Sequence, residues 1–366
     1  MRIIYLSLFD YPTRYAHPQH ARSMVRAFAS TGAHVTFVVN TCTDPKELEG
    51  IKYVVPFGRW GRRIKKMHVR SPLLFLWLLF KMLTDRTYRG DVWYYVNDVR
   101  LASLLSILRH IWRFRFAFEA HGLFTKRIRN RMRKNADLII AVTDELRDAY
   151  TGDAPVYIER NAVDIQIFKP SHKTSRRGAS LPEGFIMLYT GRPKPMGIEK
   201  GLAFMIEALL ALPSDISLVC VGASPAEKSE YDAYATTCGV GERLMIVTYQ
   251  TQQILARYMQ MADVLVYVPP VKSEFFERET SPMKLFEYAA VGKPIILSRM
   301  PTFEHILDDT QVYYIEPGNT EQFVHAVQNI KDGKHDHYMD EKNKKWVRHY
   351  TWEARARRIC AYCMRI

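Results

Sequence analysis

The sequence predicts an α/β protein with two doubly wound domains, each built on a parallel sheet. The chain starts with an apolar strand pattern at 3–8, a helical pattern at 21–30 and a second strand pattern at 35–39. This alternation is typical of a doubly wound sheet, in which ligands bind at the carboxyl ends of the strands. A polar stretch at 171–184 lacks hydrophobic periodicity, and the strand-helix alternation restarts after it with a strand pattern at 185–189.

This restart determines the predicted domain organisation. We predict a first domain over 1–170, an interdomain linker over 171–184, a second domain over 185–350 and a C-terminal helix over 351–366. A chain of 366 residues is long enough for two ordinary domains with full cores.

The other elements follow in the same alternation. An apolar run at 73–80 is far shorter than the ~18–20 residues of a membrane span, so we predict a buried helix there. Further strands are predicted at 92–96, 114–120, 137–142, 217–221, 244–247, 263–268 and 295–297. Further helices are predicted at 101–108, 126–134, 202–212, 253–261 and 283–290. Residues 303–306, 313–315 and 320–330 are expected to complete the second domain.

The net charge of +14 lies entirely in the first half of the chain. Residues 1–180 hold 31 Lys and Arg against 15 Asp and Glu, a balance of +16, whereas residues 181–366 hold 21 against 23, a balance of −2. This asymmetry predicts an anionic partner for the first domain, such as lipid headgroups, a phosphate-bearing acceptor or nucleic acid.

A basic, aromatic segment at 59–70 precedes the apolar run of the first domain. It is typical of an interfacial patch, where cations meet anionic headgroups and Trp lies at the boundary. No recognition helix, zinc finger or RNA-binding motif accompanies the charge, so a membrane surface is favoured over nucleic acid. The residues expected to contact the membrane are Arg59, Trp60, Arg62, Arg63, Lys65, Lys66, Lys126 and Arg127.

The cysteines and the N-terminus indicate the cellular compartment. The five cysteines are odd in number and scattered, which favours a reducing compartment. The N-terminal apolar run is too short and too soon acidic for a signal peptide. We therefore expect a cytoplasmic protein that is peripheral to the inner face of a membrane.

The stretch 271–297 carries the residues on which the functional prediction depends. Glu279 precedes a predicted helix start at Thr280-Ser281-Pro282, and Glu287 stands eight residues further on. The helix is predicted to end at Gly292. A helix start offers unpaired N–H groups to a phosphate, and each carboxylate can accept hydrogen bonds from sugar hydroxyls. The spacing of the acids alone is more typical of an ordinary capped helix with two surface glutamates.

The wider string changes this interpretation. Residues 279–294, which read ETSPMKLFEYAAVGKP, resemble the donor-site signature of family-4 retaining glycosyltransferases of the GT-B fold, within glycosyl transferases group 1. The S-P-x-K-x-F-E-Y and G-K-P flanks are much more specific than two acids. Residues 160–170 also resemble a turn of this family, with Arg160 in place of its Pro and Ala162 in place of its Gly.

The resemblance implies a fold and an activity. It implies two Rossmann-like domains facing a cleft, with the C-terminal helix crossing back to the first domain. It also implies transfer of a sugar, with retention of anomeric configuration, from a UDP- or GDP-linked donor to a saccharide or lipid-linked acceptor in glycan or polysaccharide biosynthesis. The first domain would bind the acceptor and the second the donor, and neither a metal ion nor a further cofactor is implied.

The resemblance also assigns roles to single residues. Glu287 would bind the ribose and Glu279 the hydroxyls of the donor sugar, while His121 would lie close to the transferred sugar. Arg192, Lys200 and the helix start would stabilise charge on the leaving diphosphate. The other predicted donor-binding residues are Gly191, Tyr249, Thr280, Ser281, Pro282, Met283 and Lys284.

Three histidines and one tyrosine keep more than one interpretation. His121 also fits an ordinary loop histidine, and Tyr249 a core tyrosine. His17 and His20 lie where the first loop becomes helix, so they fit surface histidines, and by the resemblance an acceptor-side role stays open for His20. The first loop lacks the glycines that members of the resembling family often have there.

Two other function classes stay open. A GT-B-like sugar-nucleotide epimerase would act without an acceptor, and a non-catalytic binder of anionic polymers would show salt-sensitive nucleic-acid binding. His335, Asp336, His337 and Asp340 have the residue types of metal ligands, but among so many charges we expect a solvated connection between helices.

Overall fold

The computed structural model describes most of the chain. The described residues are 1–11, 16–64, 67–171, 181–271 and 273–366. Two predicted membrane contacts, Lys65 and Lys66, and residues 172–180 of the predicted linker lie outside the described residues. So do the side chains of Ala16, Glu47, Arg59, Arg62, Met67, His68 and Met196.

The described chain falls into two compact units. The first unit comprises Met1–Arg160, Arg278–Thr280 and Trp352–Ile366. The second unit comprises Asn161–Glu277 and Ser281–Thr351.

The first unit alternates strands and helices. Its strands are β1 (Arg2–Leu6), β2 (Asp10–Tyr11), β3 (His34–Val38), β4 (Thr41–Cys42), β5 (Tyr53–Val54), β6 (Trp93–Val96), β7 (Arg115–Ala120), β8 (Leu138–Ala141) and β9 (Val156–Ile158). The helices between them are α1 (Ala16–Ser30), α2 (Met67–Thr84), α3 (Val99–Leu108), α4 (Lys126–Asn135) and α5 (Asp144–Tyr150). Parallel pairing gives a sheet in the order β5-β3-β1-β6-β7-β8-β9, and β2 pairs with β4.

The second unit repeats this architecture. Its strands are β10 (Phe185–Thr190), β11 (Ile216–Ala223), β12 (Leu244–Thr248), β13 (Val264–Tyr267), β14 (Ile295–Ser298) and β15 (Tyr313–Ile315). Its helices are α6 (Leu202–Ala208), α7 (Pro225–Thr237), α8 (Gln252–Met261), α9 (Met283–Val291), α10 (Pro301–Glu304), α11 (Thr320–Lys331) and α12 (His337–Trp346). The parallel sheet has the order β12-β11-β10-β13-β14-β15. The last helix of the chain, α13 (Trp352–Arg365), belongs to the first unit, where it packs against α1.

The predicted α/β class with parallel sheets is confirmed. Every residue of β6, β8, β13 and β14 is buried, as expected for parallel strands that helices cover on both faces. Because the strands of each sheet run parallel, their carboxyl ends lie along one edge of that sheet. This edge is where a doubly wound sheet binds its ligands.

Helix α2 is longer than the run 73–80 predicted for it, since it spans Met67–Thr84 with Pro72 inside it. Three of its large apolar side chains, Leu76, Phe80 and Leu83, are 57%, 59% and 59% exposed. The prediction of a fully buried helix is therefore wrong for this face. Among the described residues, we find no helix of the length and apolar character that crossing a bilayer requires.

The start of α9 differs from the predicted one. A π-helical turn, Phe275–Glu279, precedes α9, and Pro282 occupies the N-cap position without a side-chain capping hydrogen bond. The predicted hydroxyl cap is thus wrong. Ser281 serves another purpose, because its Oγ accepts a hydrogen bond from the backbone N of Asn161 at 3.2 Å. The predicted end is correct, since Gly292 adopts a φ of 66° as the C-cap.

Candidate active site

In the first unit, strand β7 delivers two functional candidates to the carboxyl edge of the sheet. Glu119 lies near the end of the strand and is fully buried, and His121 follows one residue after it. Nε2 of His121 lies 3.2 Å from Oε1 of Glu119, and Nε2 of His20 lies 3.1 Å from the same oxygen. The rings of His17 and His121 are 5.2 Å apart. His20 and His121 therefore contact one buried carboxylate, and His17 lies beside His121. The expectation of a surface histidine is wrong for His20, which is buried.

The buried carboxylate of Glu119 is held by groups from two other elements. Nη2 of Arg355, in α13, donates a hydrogen bond to Oε1 at 2.5 Å, and the hydroxyl of Tyr95, in β6, donates to Oε2 at 2.7 Å. Arg355 also donates to the backbone oxygens of Arg160 and Glu159. A buried carboxylate is tolerated when it is paired and hydrogen-bonded in this way.

Burial and charge set the protonation states of this cluster. Burial acts to raise the pKa of Glu119, but the positive charge of Arg355, together with the two histidines, holds that pKa well below its usual range. Burial lowers the pKa of His20 to about 4, despite the nearby carboxylate. At neutral pH the cluster therefore contains an ionised Glu119 and a neutral His20, against which the ring of His121 is placed.

Glu279 also belongs to the first unit, where it lies next to Gly122, the residue after His121. A Cβ atom added to Gly122 would be 3.0 Å from Oε2 of Glu279, so the carboxylate rests against the bare Cα of Gly122. The preceding residue is fixed as well, since Oγ1 of Thr143 donates a hydrogen bond to the backbone oxygen of Arg278 at 2.7 Å. The structure thus brings together two predicted catalytic residues, His121 and Glu279.

In the second unit, glycines line the carboxyl edge of the sheet. Gly191 follows β10 with a φ of 93°, and Gly222 in β11 has a φ of 121°. A Cβ atom on Gly222 would lie 2.9 Å from the Cα of Gly191, so the two backbones approach each other too closely for side chains. The two glycines therefore allow close packing of the backbone at this edge.

Two lysines, Lys200, which is buried, and Lys284, which is half-buried, face this edge. Nζ of Lys284, in the first turn of α9, donates a hydrogen bond to the backbone oxygen of Thr190 at 2.7 Å and lies over the rings of Tyr189 and Tyr267. Nζ of Lys200 lies 4.2 Å from the ring centre of Phe275. Lys200 is only 8% exposed. Within the described part of the chain, neither ammonium group forms an ion pair with a carboxylate.

The ionisation of these groups is shifted by burial. Burial lowers the pKa of Lys200 to about 8, and burial together with the charge of Lys200 lowers the pKa of Lys284 strongly. Burial raises the pKa of Glu287, in the middle of α9, to about 7, although the charge of Lys284 acts against this. Ionisable groups whose pKa values burial shifts this far cluster at functional sites.

Arg192 and Tyr249 also lie at this edge. The guanidinium of Arg192 donates from Nε and Nη2 to the carboxylate of Glu227, which also takes part in the capping box of α7 with Ser224. Glu227 therefore fixes the direction of the Arg192 side chain. Tyr249 directly follows β12 and is half-buried.

The predicted site residues divide between the two units. Thr280, Glu279 and His121 belong to the first unit. The second unit holds Gly191, Arg192, Lys200, Tyr249, Ser281, Pro282, Met283, Lys284 and Glu287. Sequence reasoning missed Glu119, Arg355 and Glu227. Only Glu119 had a usable signal, since it is an isolated acid within the otherwise apolar end of a strand pattern.

The prediction that His335 and Asp340 lie in a solvated connection between helices is wrong for both residues. The side chain of His335 is only 5% exposed, and Asp340 is buried. Nε2 of His335 lies 2.9 Å from Oδ2 of Asp340.

Comparison with known protein families gives a match in the second half of the chain. Residues 172–346 match the family model described as Glycosyl transferases group 1. The glycosyltransferase TuaH of Bacillus subtilis (strain 168), named for teichuronic acid biosynthesis, is 25% identical over 105 residues, or 29% of this chain. That match spans 26% of the length of TuaH.

Solved structures share the fold over the whole chain. Sucrose-phosphate synthase from Thermosynechococcus elongatus has a TM-score of 0.76 at 17% identity, with 100% of this chain and 98% of that chain covered. HepE from Anabaena, in complex with UDP, has a TM-score of 0.79 at 14% identity, with both chains covered completely (100%). The lipopolysaccharide outer core galactosyltransferase WaaB, in its apo form, has a TM-score of 0.69 at 16% identity, again with 100% of both chains covered. These likenesses confirm the predicted GT-B fold class.

Proposed function

We propose that this chain is a retaining glycosyltransferase that uses a nucleoside diphosphate sugar, and the match of residues 172–346 to the family model of glycosyl transferases group 1 supports this proposal. The observation that carries this proposal is a pair of lysines, the buried Lys200 and the half-buried Lys284. A buried ammonium group without a carboxylate partner costs stability, and an anionic ligand offsets that cost. A diphosphate supplies the missing negative charge.

Helix α9 supports the same ligand. Its N-terminal N–H groups carry no side-chain cap, and Lys284 lies in its first turn. Uncapped N–H groups and the helix dipole favour a phosphate group at this position. The glycine-lined edge at Gly191 and Gly222 allows close approach of the diphosphate to the backbone.

The nucleoside end of the donor fits Glu287. Burial disfavours the ionised form of this carboxyl, whose pKa is raised to about 7. A ligand that donates hydrogen bonds to the carboxylate would offset this cost. Two ribose hydroxyls can donate hydrogen bonds to its carboxylate. The structural relative HepE has been solved with UDP and with UDP-glucose, which supports a uridine nucleotide for this chain as well.

The proposed reaction proceeds on one face of the sugar. The acceptor hydroxyl oxygen forms a bond to the anomeric carbon as the bond from that carbon to the diphosphate oxygen breaks. The acceptor proton passes to the leaving phosphate oxygen. The charge on the diphosphate would be stabilised by Lys200, Lys284, Arg192 and the start of α9. Neither a metal ion nor a further cofactor is therefore proposed for the donor. His121 and Glu279 would contact the transferred sugar.

We assign the acceptor and a membrane surface to the first unit. Leu76, Phe80 and Leu83 repeat at the helical spacing of one face of α2, and all three are exposed. Trp60 is 72% exposed, and the guanidinium of Arg63 lies 5.7 Å from its ring centre. An apolar helix face beside cations is the usual form of an interfacial anchor.

A groove of about 590 Å³ lies between α2, α3 and α4. Its lining combines apolar residues with Arg100, Arg127 and Arg131. Such a lining suits an acceptor with a lipid part and a phosphate part. The protein would then act from the cytoplasm at the inner face of a membrane, in glycan or polysaccharide biosynthesis.

The membrane part is tested by sedimentation with vesicles. We expect binding to mixed phosphatidylglycerol and phosphatidylcholine vesicles but weak binding to phosphatidylcholine alone. Phe80→Ser should reduce this binding, whereas Leu210→Ser, at an exposed leucine of the second unit, should not. Equal binding of the two variants would contradict the assignment of α2.

The reaction is tested with UDP- and GDP-sugars and lipid-linked saccharide acceptors. We expect release of nucleoside diphosphate only when the acceptor is present, and a product whose anomeric configuration, read by NMR, equals that of the donor. Donor turnover without acceptor would favour the epimerase alternative. An inverted product would contradict retention.

A further inference from the structure

The connection between α11 and α12 carries a compact group of side chains that the proposed reaction does not use. The group consists of His335, His337 and Asp340, all within the second unit. One ligand atom from each residue, a histidine nitrogen or a carboxylate oxygen, lies within 4.8 Å of the other two. His337 and Asp340 lie one turn apart at the start of α12, so the helix places both on the same side.

The distances fit a common ion. Nε2 of His335 lies 2.9 Å from Oδ2 of Asp340, and Nδ1 of His337 lies 3.5 Å from the same oxygen. Ligand atoms that bind one tetrahedral zinc ion at about 2.0–2.2 Å are about 3.2–3.6 Å apart. These two distances lie within a few tenths of an ångström of that range.

Asp340 provides a second, independent observation. The residue is 8% exposed, and its Oδ1 has no hydrogen-bond partner among the residues described. A buried carboxylate oxygen without a partner is costly and requires an explanation. Asp340 as a residue also lines a cavity of about 500 Å³.

The surroundings of His335 match those of a metal ligand. Nδ1 of His335 lies 2.9 Å from the hydroxyl oxygen of Tyr313. In the metal-free protein Nε2–H donates to the Asp340 carboxylate, and Nδ1 accepts from the Tyr313 hydroxyl. Metal binding at Nε2 would reverse this tautomer, and Nδ1–H would then donate to the hydroxyl of Tyr313. The side chain of His337 is 90% exposed and forms the open side of the group, through which an ion can enter.

We propose that His335, His337 and Asp340 form a binding site for a divalent transition metal ion of the zinc type. Two imidazoles and one carboxylate suit such an ion better than calcium or magnesium, which prefer oxygen ligands throughout. The remaining coordination position faces the cavity. The ion would tie the start of α12 to β15 through Tyr313, and it would stabilise the second unit.

The site is distinct from the proposed donor site. The cavity is bordered by Gly292 and Lys293, which follow the C-terminal end of α9, whereas the donor is assigned to the N-terminal end of that helix. Nine residues of helix separate the two ends by about 13 Å. The metal ion is therefore proposed as a stabilising ligand and not as part of the reaction.

The test is calorimetric titration of tag-free, full-length, EDTA-treated protein with zinc chloride, and with magnesium chloride as the ionic control. We expect one zinc ion per chain, no response to magnesium, and a higher melting temperature with zinc. The variant His337→Ala should lose at least about tenfold in zinc affinity. Because His337 is exposed, this variant is expected to fold.

Two further variants decide the location. His325→Ala changes an exposed histidine of α11 and should bind zinc like the wild type. His121→Ala disrupts the other group with metal-ligand residue types, His20, Glu119 and His121, and should also bind zinc like the wild type. Absence of stoichiometric zinc binding, wild-type affinity in His337→Ala, or loss of affinity in His121→Ala would each overturn the proposal.

Discussion

Arg355 donates a hydrogen bond to Glu119 over 2.5 Å, and neither side chain is exposed to solvent. The two residues are 236 positions apart in the chain, and their contact joins the C-terminal helix α13 to strand β7 of the first unit. The same carboxylate oxygen lies beside His20 and His121. The last helix of the chain therefore supplies the counter-charge for the carboxylate that positions a predicted catalytic histidine.

The first prediction concerns this ion pair. Arg355→Met removes the positive charge and leaves Glu119 buried without its main partner, which should cost about 3–5 kcal/mol in the free energy of unfolding. Urea denaturation measures this change. Arg357→Met, at an exposed position of the same helix, should change it by less than about 0.5 kcal/mol. Similar stability of the two variants would show that the pair does not stabilise the first unit.

The second prediction concerns acid sensitivity. Burial lowers the pKa of His20 to about 4, below its ordinary value of 6.5. Between these two pH values the unfolded chain binds a proton that the folded chain does not, so stability falls as the pH decreases. The slope is up to about 1.4 kcal/mol per pH unit for this one group.

Urea denaturation of His20→Gln between pH 7 and pH 5 checks this prediction (about two pH units, centred near the ordinary histidine pKa). The variant should lose less stability than the wild type over this range, because its side chain does not titrate. The control His325→Gln, at an exposed histidine, should follow the wild type. A wild-type pH dependence in His20→Gln would contradict the assigned neutral state of His20.

The third prediction separates the diphosphate from the nucleoside. The pKa of Lys200 is lowered to about 8, so the ionised form costs stability in the unliganded protein at neutral pH. Lys200→Met should therefore raise the melting temperature of the unliganded protein, while the affinity for UDP falls about tenfold or more. Affinity for uridine, which has no phosphate, should stay unchanged.

Isothermal titration with UDP and uridine gives these affinities. Lys194→Met is the matched control, because Lys194 pairs with Glu230 at a more exposed position nearby. It should bind UDP like the wild type. Equal loss of UDP affinity in both lysine variants would point to a general charge effect instead of a phosphate contact.

The fourth prediction concerns the placement of Glu279. Gly122→Ala adds a Cβ atom 3.0 Å from Oε2 of Glu279, so the carboxylate must shift by a few tenths of an ångström. Because small misplacements of positioning groups reduce catalysis strongly, kcat should fall by about 10- to 100-fold with little change in stability. Gly241→Ala, which meets only the side chain and backbone of Thr236, should keep its activity. Wild-type kcat in Gly122→Ala would remove Glu279 from the proposed site.

The fold could be predicted from the sequence because hydrophobic patterns and glycine punctuation are local signals. The strands around Trp93–Val96 and Leu138–Ala141 are continuous buried runs, and the stop of α9 at Gly292 follows from its left-handed conformation. The hydroxyl cap of α9 was mispredicted, because the contact of Ser281 with Asn161, 120 residues away, has no local signal.

The candidate sites were predictable only in part for the same reason. A motif placed Glu279, Glu287 and Lys284, since they lie within one short string. The partners that set their surroundings come from distant parts of the chain. Arg355 is one polar residue among several on an amphipathic helix, and only the packing of α13 against α1 shows that it is buried.

The measurement that tests the central claim most directly is thermal stabilisation by UDP-, GDP- and ADP-sugars, compared between the wild type and Glu287→Gln. Ligands that bind the native state raise its melting temperature. We expect one class of nucleotide sugar, UDP- or GDP-linked, to stabilise the wild type. Glu287→Gln should lose that stabilisation. Its unliganded form should nevertheless be more stable than the unliganded wild type at pH 8, about one unit above the raised pKa of the native carboxyl.

The control Glu321→Gln, at an exposed position of α11, should respond like the wild type. If no nucleotide sugar stabilises the wild type, or if Glu287→Gln responds as strongly as the wild type, the assigned donor site is wrong.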